Sequence, residues 1–156
     1  MSSLKGGVGK TTVALGIASA AFSRGLRTLV VDLDPQCDAS TGLGAFGEFR
    51  ETCAEVLENP KHNVVLRAIV SSSWTKARPG NIDVMIGSPR ALVFDVPSPT
   101  VREVWKLEEA LSRVENEYDL VLIDTPPSMN GLTRTAWVAS DRVLVVSEPS
   151  IFSVVA

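Results

Sequence analysis

Apolar residues along the chain fall in short blocks separated by segments of helical periodicity. Arg27 to Leu33 (RTLVVDL), Ile82 to Ile86, Asp119 to Ile123 (DLVLI) and Arg142 to Val146 (RVLVV) read as strands. Their nearly unbroken apolar runs suit strands covered on both faces. Thr11 to Arg24 reads as a helix. Thr100 to Glu117 is the best-marked helix: Thr100 and Glu103 form a capping-box pair, and Ser98-Pro99 enforces an extended entry. Val104, Leu107, Leu111 and Val114 then share one face. Between Asp34 and Asn81 the pattern weakens, and short helices are expected near Cys53–Glu58 and Val64–Val70. Trp105 and Trp137 lie in helical contexts and are expected to pack, whereas Trp74 falls in a polar loop. Strands alternating with helices predict a doubly wound, mostly parallel α/β sheet with helices on both faces, as a single domain over residues 1–156.

The composition, 45% hydrophobic and 21% charged, agrees with a buried sheet and gives no sign of disorder. A net charge of −3 offers no overall basic footprint for nucleic acid. The two cysteines, Cys37 and Cys53, form no CxxC and have no histidine cluster near them. This pattern fits a reducing compartment and argues against a disulfide framework or a zinc site. Cys37 reads as a small free thiol beside the expected site, and His62, the only histidine, as a solvated helix start. No apolar run reaches membrane-spanning length and no signal-peptide pattern opens the chain, so a cytoplasmic location is expected. Both ends read as cut. Only Met1-Ser2-Ser3-Leu4 precedes the glycine-rich loop, too little for a full strand, and Ser150 to Ala156 reads as the first turn of a helix.

The chemistry concentrates in three segments. In Lys5-Gly6-Gly7-Val8-Gly9-Lys10-Thr11-Thr12, the glycines permit a concave turn of backbone N–H groups ahead of a helix N-terminus. Lys10 can reach the β- and γ-phosphates of a nucleotide, and the Thr11 hydroxyl can ligate Mg²⁺. The general Walker A pattern requires glycine where Leu4 stands, so that pattern fails. Asp32-Leu33-Asp34-Pro35-Gln36 closes a strand, and period-2 alternation puts Asp32 and Asp34 on one side. Strand carboxyl ends face the ligand crevice in a doubly wound sheet. A carboxylate there can hold a metal-bound water or orient an attacking one. Asp119 to Pro127 is a Walker B-type segment in which Asp124 emerges to hold the metal through water.

Together these segments resemble the ParA family of chromosome and plasmid partition ATPases. KGGVGKTT matches the deviant Walker A loop of the ParA/MinD superfamily. DLDPQ with Ala39-Ser40-Thr41-Gly42-Leu43-Gly44 matches the ParA branch, and IDTPPSMNGLT, Ala136, Ser140-Asp141 and Glu148-Pro149 continue the likeness. It covers Leu4–Gly44 and Tyr118–Ser153, with Leu4 standing where glutamine often precedes the lysine. The resemblance implies an ATP- and Mg²⁺-dependent ATPase that forms a nucleotide-sandwich homodimer. By that likeness Lys5 would be the signature lysine crossing to the partner's phosphates, Lys10 the cis lysine and Thr11 a metal ligand. Thr12 would contact the α-phosphate, and Asp34 would position the attacking water, with Asp32 and Asp124 supporting the metal shell. ATP-bound dimers of the family bind DNA nonspecifically on the nucleoid, and a ParB-type partner stimulates hydrolysis. The basic residues for DNA fall mostly beyond residue 156, so this chain alone is not expected to bind DNA. The competing readings are a MinD-like membrane-positioning ATPase, an ATP-dependent amide- or ring-forming synthetase, and an inactive fragment. An iron–sulfur reductase relative is a poorer fit, because Cys37 and Cys53 stand in the wrong places.

Overall fold

The computed structural model describes residues 1–3, 5–45, 51–75 and 81–147. Helix α1 (Lys10–Ser23) is followed by strand β1 (Thr28–Asp32) and the short helices α2 (Asp38–Gly42), α3 (Cys53–Glu58) and α4 (His62–Arg67). Strands β2 (Ile69–Ser71) and β3 (Ile82–Met85) come next, then α5 (Val101–Val104), α6 (Lys106–Leu111), β4 (Leu120–Asp124) and α7 (Gly131–Val138). The four strands lie in the order β2-β3-β1-β4. β1 runs parallel to both β3 and β4, and β2 is antiparallel to β3.

The β1 alternation distributes side chains to two cores. Leu29, Val31 and Leu33 join Val56, Leu57, Val65, Leu107, Leu111 and Leu132 on the face covered by α3, α4, α6 and α7. Val30 joins Ala18, Ala39, Leu43, Ile82 and Val84 on the face covered by α1 and α2. α1 meets the sheet through Ala14, Ala18 and Ala21, small residues that let the helix approach closely. It ends where Gly25 turns left-handed at φ 77° and the Leu26 N–H returns to the Ala21 carbonyl at 3.1 Å. At the start of β1, the Arg27 guanidinium grips Asp119 through two bonds of 3.2 and 2.9 Å. That fork holds the Asp119 carboxyl down at about 2 and ties the starts of β1 and β4 together.

The mostly parallel α/β architecture with helices on both faces agrees with the sequence expectation, and four local expectations are corrected. The Thr100–Glu117 helix breaks at Trp105 and closes on a 3₁₀ turn, Glu115–Glu117. The capping box of Thr100 and Glu103 is present. α5 packs on α7 whereas α6 packs on both α3 and α7, and a break lets each short helix meet its own partners. Trp105 consequently stands 52% exposed instead of packing. The helix expected through Val70 stops at Arg67, and the β-branched Ile69 and Val70 form an edge strand instead. Arg142 to Val146 is no regular strand. Val145 makes one parallel bridge to Ser2, through bonds of 3.0 Å from Ser2 N–H to Leu144 and from Val146 N–H to Ser2. Residues 1–3 offer that segment a single rung, and Val143, Leu144 and Val145 stay exposed. His62 starts α4 in solvent, as expected, and Trp74 lies on an exposed 3₁₀ turn, Ser73–Thr75. The expectations for Leu4, Glu148-Pro149 and Ser150–Ala156 lie outside the described residues.

Candidate functional site

The loop from Lys5 to Gly9 enters α1 with Gly7 at φ 77° and Gly9 at φ 90°, a region that side-chain-bearing residues rarely adopt. Gly9 provides no side-chain cap and the first turn carries no acidic residue, so the opening N–H groups of this 14-residue helix face the loop. An anion fits there both by hydrogen bonding and by the helix dipole. Lys5, Gly6, Gly7 and Thr12 are exposed, Val8, Gly9 and Thr11 half-buried, and Lys10 is buried at 7% exposure. The loop after β4 closes one side, where a methyl group on Gly6 would stand 3.9 Å from Pro127.

Parallel pairing places Asp32 and Asp124 in direct register at the carboxyl ends of β1 and β4. Both are fully buried. The Thr11 hydroxyl donates to Asp124 Oδ2 at 2.6 Å, which ties the first turn of α1 to β4. Asp32 Oδ2 accepts from the Ser40 N–H at 2.8 Å and from the Ser40 hydroxyl at 2.7 Å. Each of the two aspartates keeps its Oδ1 buried and without a protein partner. Asp34 is also buried, and its Oδ1 accepts from the Gln36 N–H at 3.0 Å in a tight turn. Burial, opposed by the Ser40 bonds and reinforced by Asp124 and Asp34, raises the Asp32 carboxyl to about 6. Burial likewise raises Asp124, against the pull of Thr11 and Lys10. Three carboxylates so placed hold an excess of negative charge that a cation can neutralise, and the orphan oxygens of Asp32 and Asp124 provide acceptors for it.

The structure brings Lys10, Thr11, Asp32, Asp34 and Asp124 together as the strand ends and loop predicted. Two participants escaped sequence reasoning. Ser40 was legible only as part of a matching string. Gly87 has no motif at all: its N–H donates to Ser40 Oγ at 2.9 Å, and a methyl group there would stand 2.8 Å from Asp32 Cγ. Cys37 lines the same corner at φ 59°, its thiol pushed up to about 11 mainly by burial and next by Asp32.

A glycine-rich loop running into a helix, with strand-end aspartates opposite, defines a P-loop nucleotide-binding domain. The chain belongs to the family described as AAA domain, whose model matches residues 1–155. It is 38% identical over 157 aligned residues to the virulence plasmid ParA family protein pGP5-D of Chlamydia psittaci, covering 97% of this chain and 57% of that protein. It is 37% identical to the chromosome partitioning protein ParA of Myxococcus xanthus, covering 93% of this chain and 50% of that one. The chain therefore spans about half the length of the curated relatives it matches. Among solved structures, cobyrinic acid a,c-diamide synthase from Mycobacterium smegmatis with bound ATP analog and magnesium superposes with a TM-score of 0.78. That match is 27% identical and covers 93% of this chain and 57% of the synthase.

Proposed function

We propose that this chain is the nucleotide-binding domain, over residues 1–156, of a ParA-type partition ATPase that hydrolyses ATP with Mg²⁺. The observation that carries the reading is the convergence of the uncapped α1 N-terminus, buried Lys10 and the orphan oxygens of Asp32 and Asp124 on one corner. Gly6, Gly7, Val8 and Gly9 cradle the phosphates with backbone N–H groups, Lys10 neutralises the β- and γ-phosphates, and Thr12 meets the α-phosphate. Thr11, Asp32 and Asp124 hold Mg²⁺, directly or through water. The ion supplies charge neutralisation at the phosphates. Asp34 orients the attacking water, and Lys5 acts across a homodimer. A cytoplasmic location, DNA binding on the nucleoid and stimulation by a ParB-type partner belong to the same reading for the intact protein.

Likeness to an ATP-binding diamide synthase favours a second reading, an amide-forming synthetase, since the nucleotide core is shared. The partition reading is preferred because the ParA relatives are the closer sequences, at 38% and 37% against 27% identity. The test is titration with a fluorescent ATP analogue in Mg²⁺. Wild type saturates, and Lys10→Ala loses at least about 100-fold in affinity, consistent with the roughly 3–5 kcal/mol lost when a buried charge contact is broken. Equal affinity in the two proteins removes Lys10 from the site and overturns the reading.

A further inference from the structure

Asp32 is held from one side only. Both Ser40 donors, the backbone N–H and the hydroxyl, converge on Oδ2, at 2.8 and 2.7 Å. The hydroxyl proton has a fixed destination, because Ser40 Oγ already accepts from the Gly87 N–H at 2.9 Å. Ser40 is buried at 7% exposure, and Asp32 is fully buried, so water does not compete for these bonds. Gly87 closes the cage from the β3 side: a side chain there would stand 2.8 Å from both Asp32 Cγ and Oδ2. Rotation of the carboxylate about its Cβ–Cγ bond would break both Ser40 bonds at once. Oδ1 is thereby fixed where it has no protein partner.

We propose that Ser40 is a positioning residue: it fixes Asp32 by one carboxylate oxygen so that the other is presented to the divalent cation at the phosphate end of the nucleotide. Gly87 is the second half of the device, orienting the Ser40 hydroxyl and leaving room for the carboxylate. This rests on the proposed nucleotide site and adds how its metal-facing oxygen is aimed. Groups that orient a ligand from behind, without touching the metal, commonly change metal affinity by about 10–100-fold when removed.

The experiment loads the 156-residue chain with a non-hydrolysable ATP analogue and titrates it with Mn²⁺, followed by electron paramagnetic resonance. Affinity for the analogue without metal is measured in parallel. Ser40→Ala is expected to weaken Mn²⁺ binding by about 10–100-fold while leaving metal-free analogue affinity unchanged, since the loop and Lys10 are untouched. Ser40→Thr, which keeps both donors, is expected to retain wild-type Mn²⁺ affinity. Gly87→Ala is expected to reproduce the loss while deleting no hydrogen-bonding group. Wild-type Mn²⁺ affinity in folded Ser40→Ala overturns the proposal, as does an equal loss of metal-free analogue affinity. Should Ser40→Ala fail to fold by circular dichroism, the same two measurements on Ser40→Thr and Gly87→Ala decide it. A wild-type chain that binds no analogue at all overturns the nucleotide-site reading itself, a result distinct from either of these.

Discussion

At the scale of single residues, Cys37 is the sharpest departure from local preference. It is the one non-glycine residue at positive φ among the described residues, at φ 59°. A left-handed conformation costs an L-residue about 1–2 kcal/mol. Glycine adopts it freely but gives up about 0.5–1 kcal/mol in chain entropy. Cys37→Gly is therefore expected to leave stability equal or raise it by about 0.5–1 kcal/mol, and Cys37→Val to lower it, measured by urea denaturation. The thiol adds a pH signature. Its folded value, about 11, lies above the ordinary value of 9.0, so folding favours the neutral thiol. That contribution is complete below pH 9 and is lost as pH rises through about 11. Wild type should lose stability over that window more steeply than Cys37→Gly. Identical pH profiles would show that burial of this thiol has no energetic weight. Cys53 is raised further, first by burial and then by Asp32, with Cys37 only a smaller cause, so most of its contribution is common to both proteins.

At the scale of elements, the legible parts were those whose signal is local. The glycines of the loop, the run ending in Asp32 and the run ending in Asp124 each announce their geometry in a few residues, and parallel pairing then sets the two aspartates side by side. The unread parts depend on partners distant in sequence. Nothing around Trp105 signals a helix break, because the break serves two different packing partners, α7 and α3. Gly87 is a site residue only because β3 places it against Asp32. Gly131 is another such position. A methyl group there would stand 2.1 Å from the Phe94 carbonyl oxygen and 3.2 Å from the Val96 nitrogen, both backbone atoms unable to step aside. The same contact carries a bond of 2.8 Å from the Gly131 N–H to Val96, while Asp95 accepts from the Leu132 N–H at 3.2 Å. α7 is thus docked by its first turn. Gly131→Ala is expected to cost about 1–3 kcal/mol or more through overpacking, a fall of roughly 3–10 °C in Tm. Gly16→Ala, on the exposed side of α1 with nothing within 4 Å, is the control, expected to stabilise by about 0.5–1 kcal/mol. Thermal melts of the pair that move in the same direction would contradict this account of α7.

At the scale of the whole molecule, the two lysines of the loop separate by exposure. Lys10 is buried at 7% and sits beside Asp124, whose carboxyl it helps to hold charged. Lys5 lies on the exposed lip of the same loop. A cation already inside the site serves the nucleotide bound there, whereas one on the exposed lip stands where a facing molecule would approach. In the proposed function this difference assigns Lys10 to cis binding and Lys5 to contact across the homodimer. Removing Lys5 should therefore leave nucleotide affinity of the monomer within about threefold, because buried contacts dominate it and exposed charge pairs contribute only about 0–1 kcal/mol. The same change should abolish ATP-dependent association and, with it, hydrolysis, since a trans cation of this kind contributes roughly 10³–10⁵ in rate in related phosphoryl transfer. Sedimentation velocity with a slowly hydrolysed analogue, run on wild type and Lys5→Ala together with nucleotide titration, reads both halves. A wild-type dimer that persists in Lys5→Ala would place the interface elsewhere. A Lys5→Ala monomer that has also lost nucleotide binding would mean that this lysine acts in cis, and the division of labour read from exposure would be wrong.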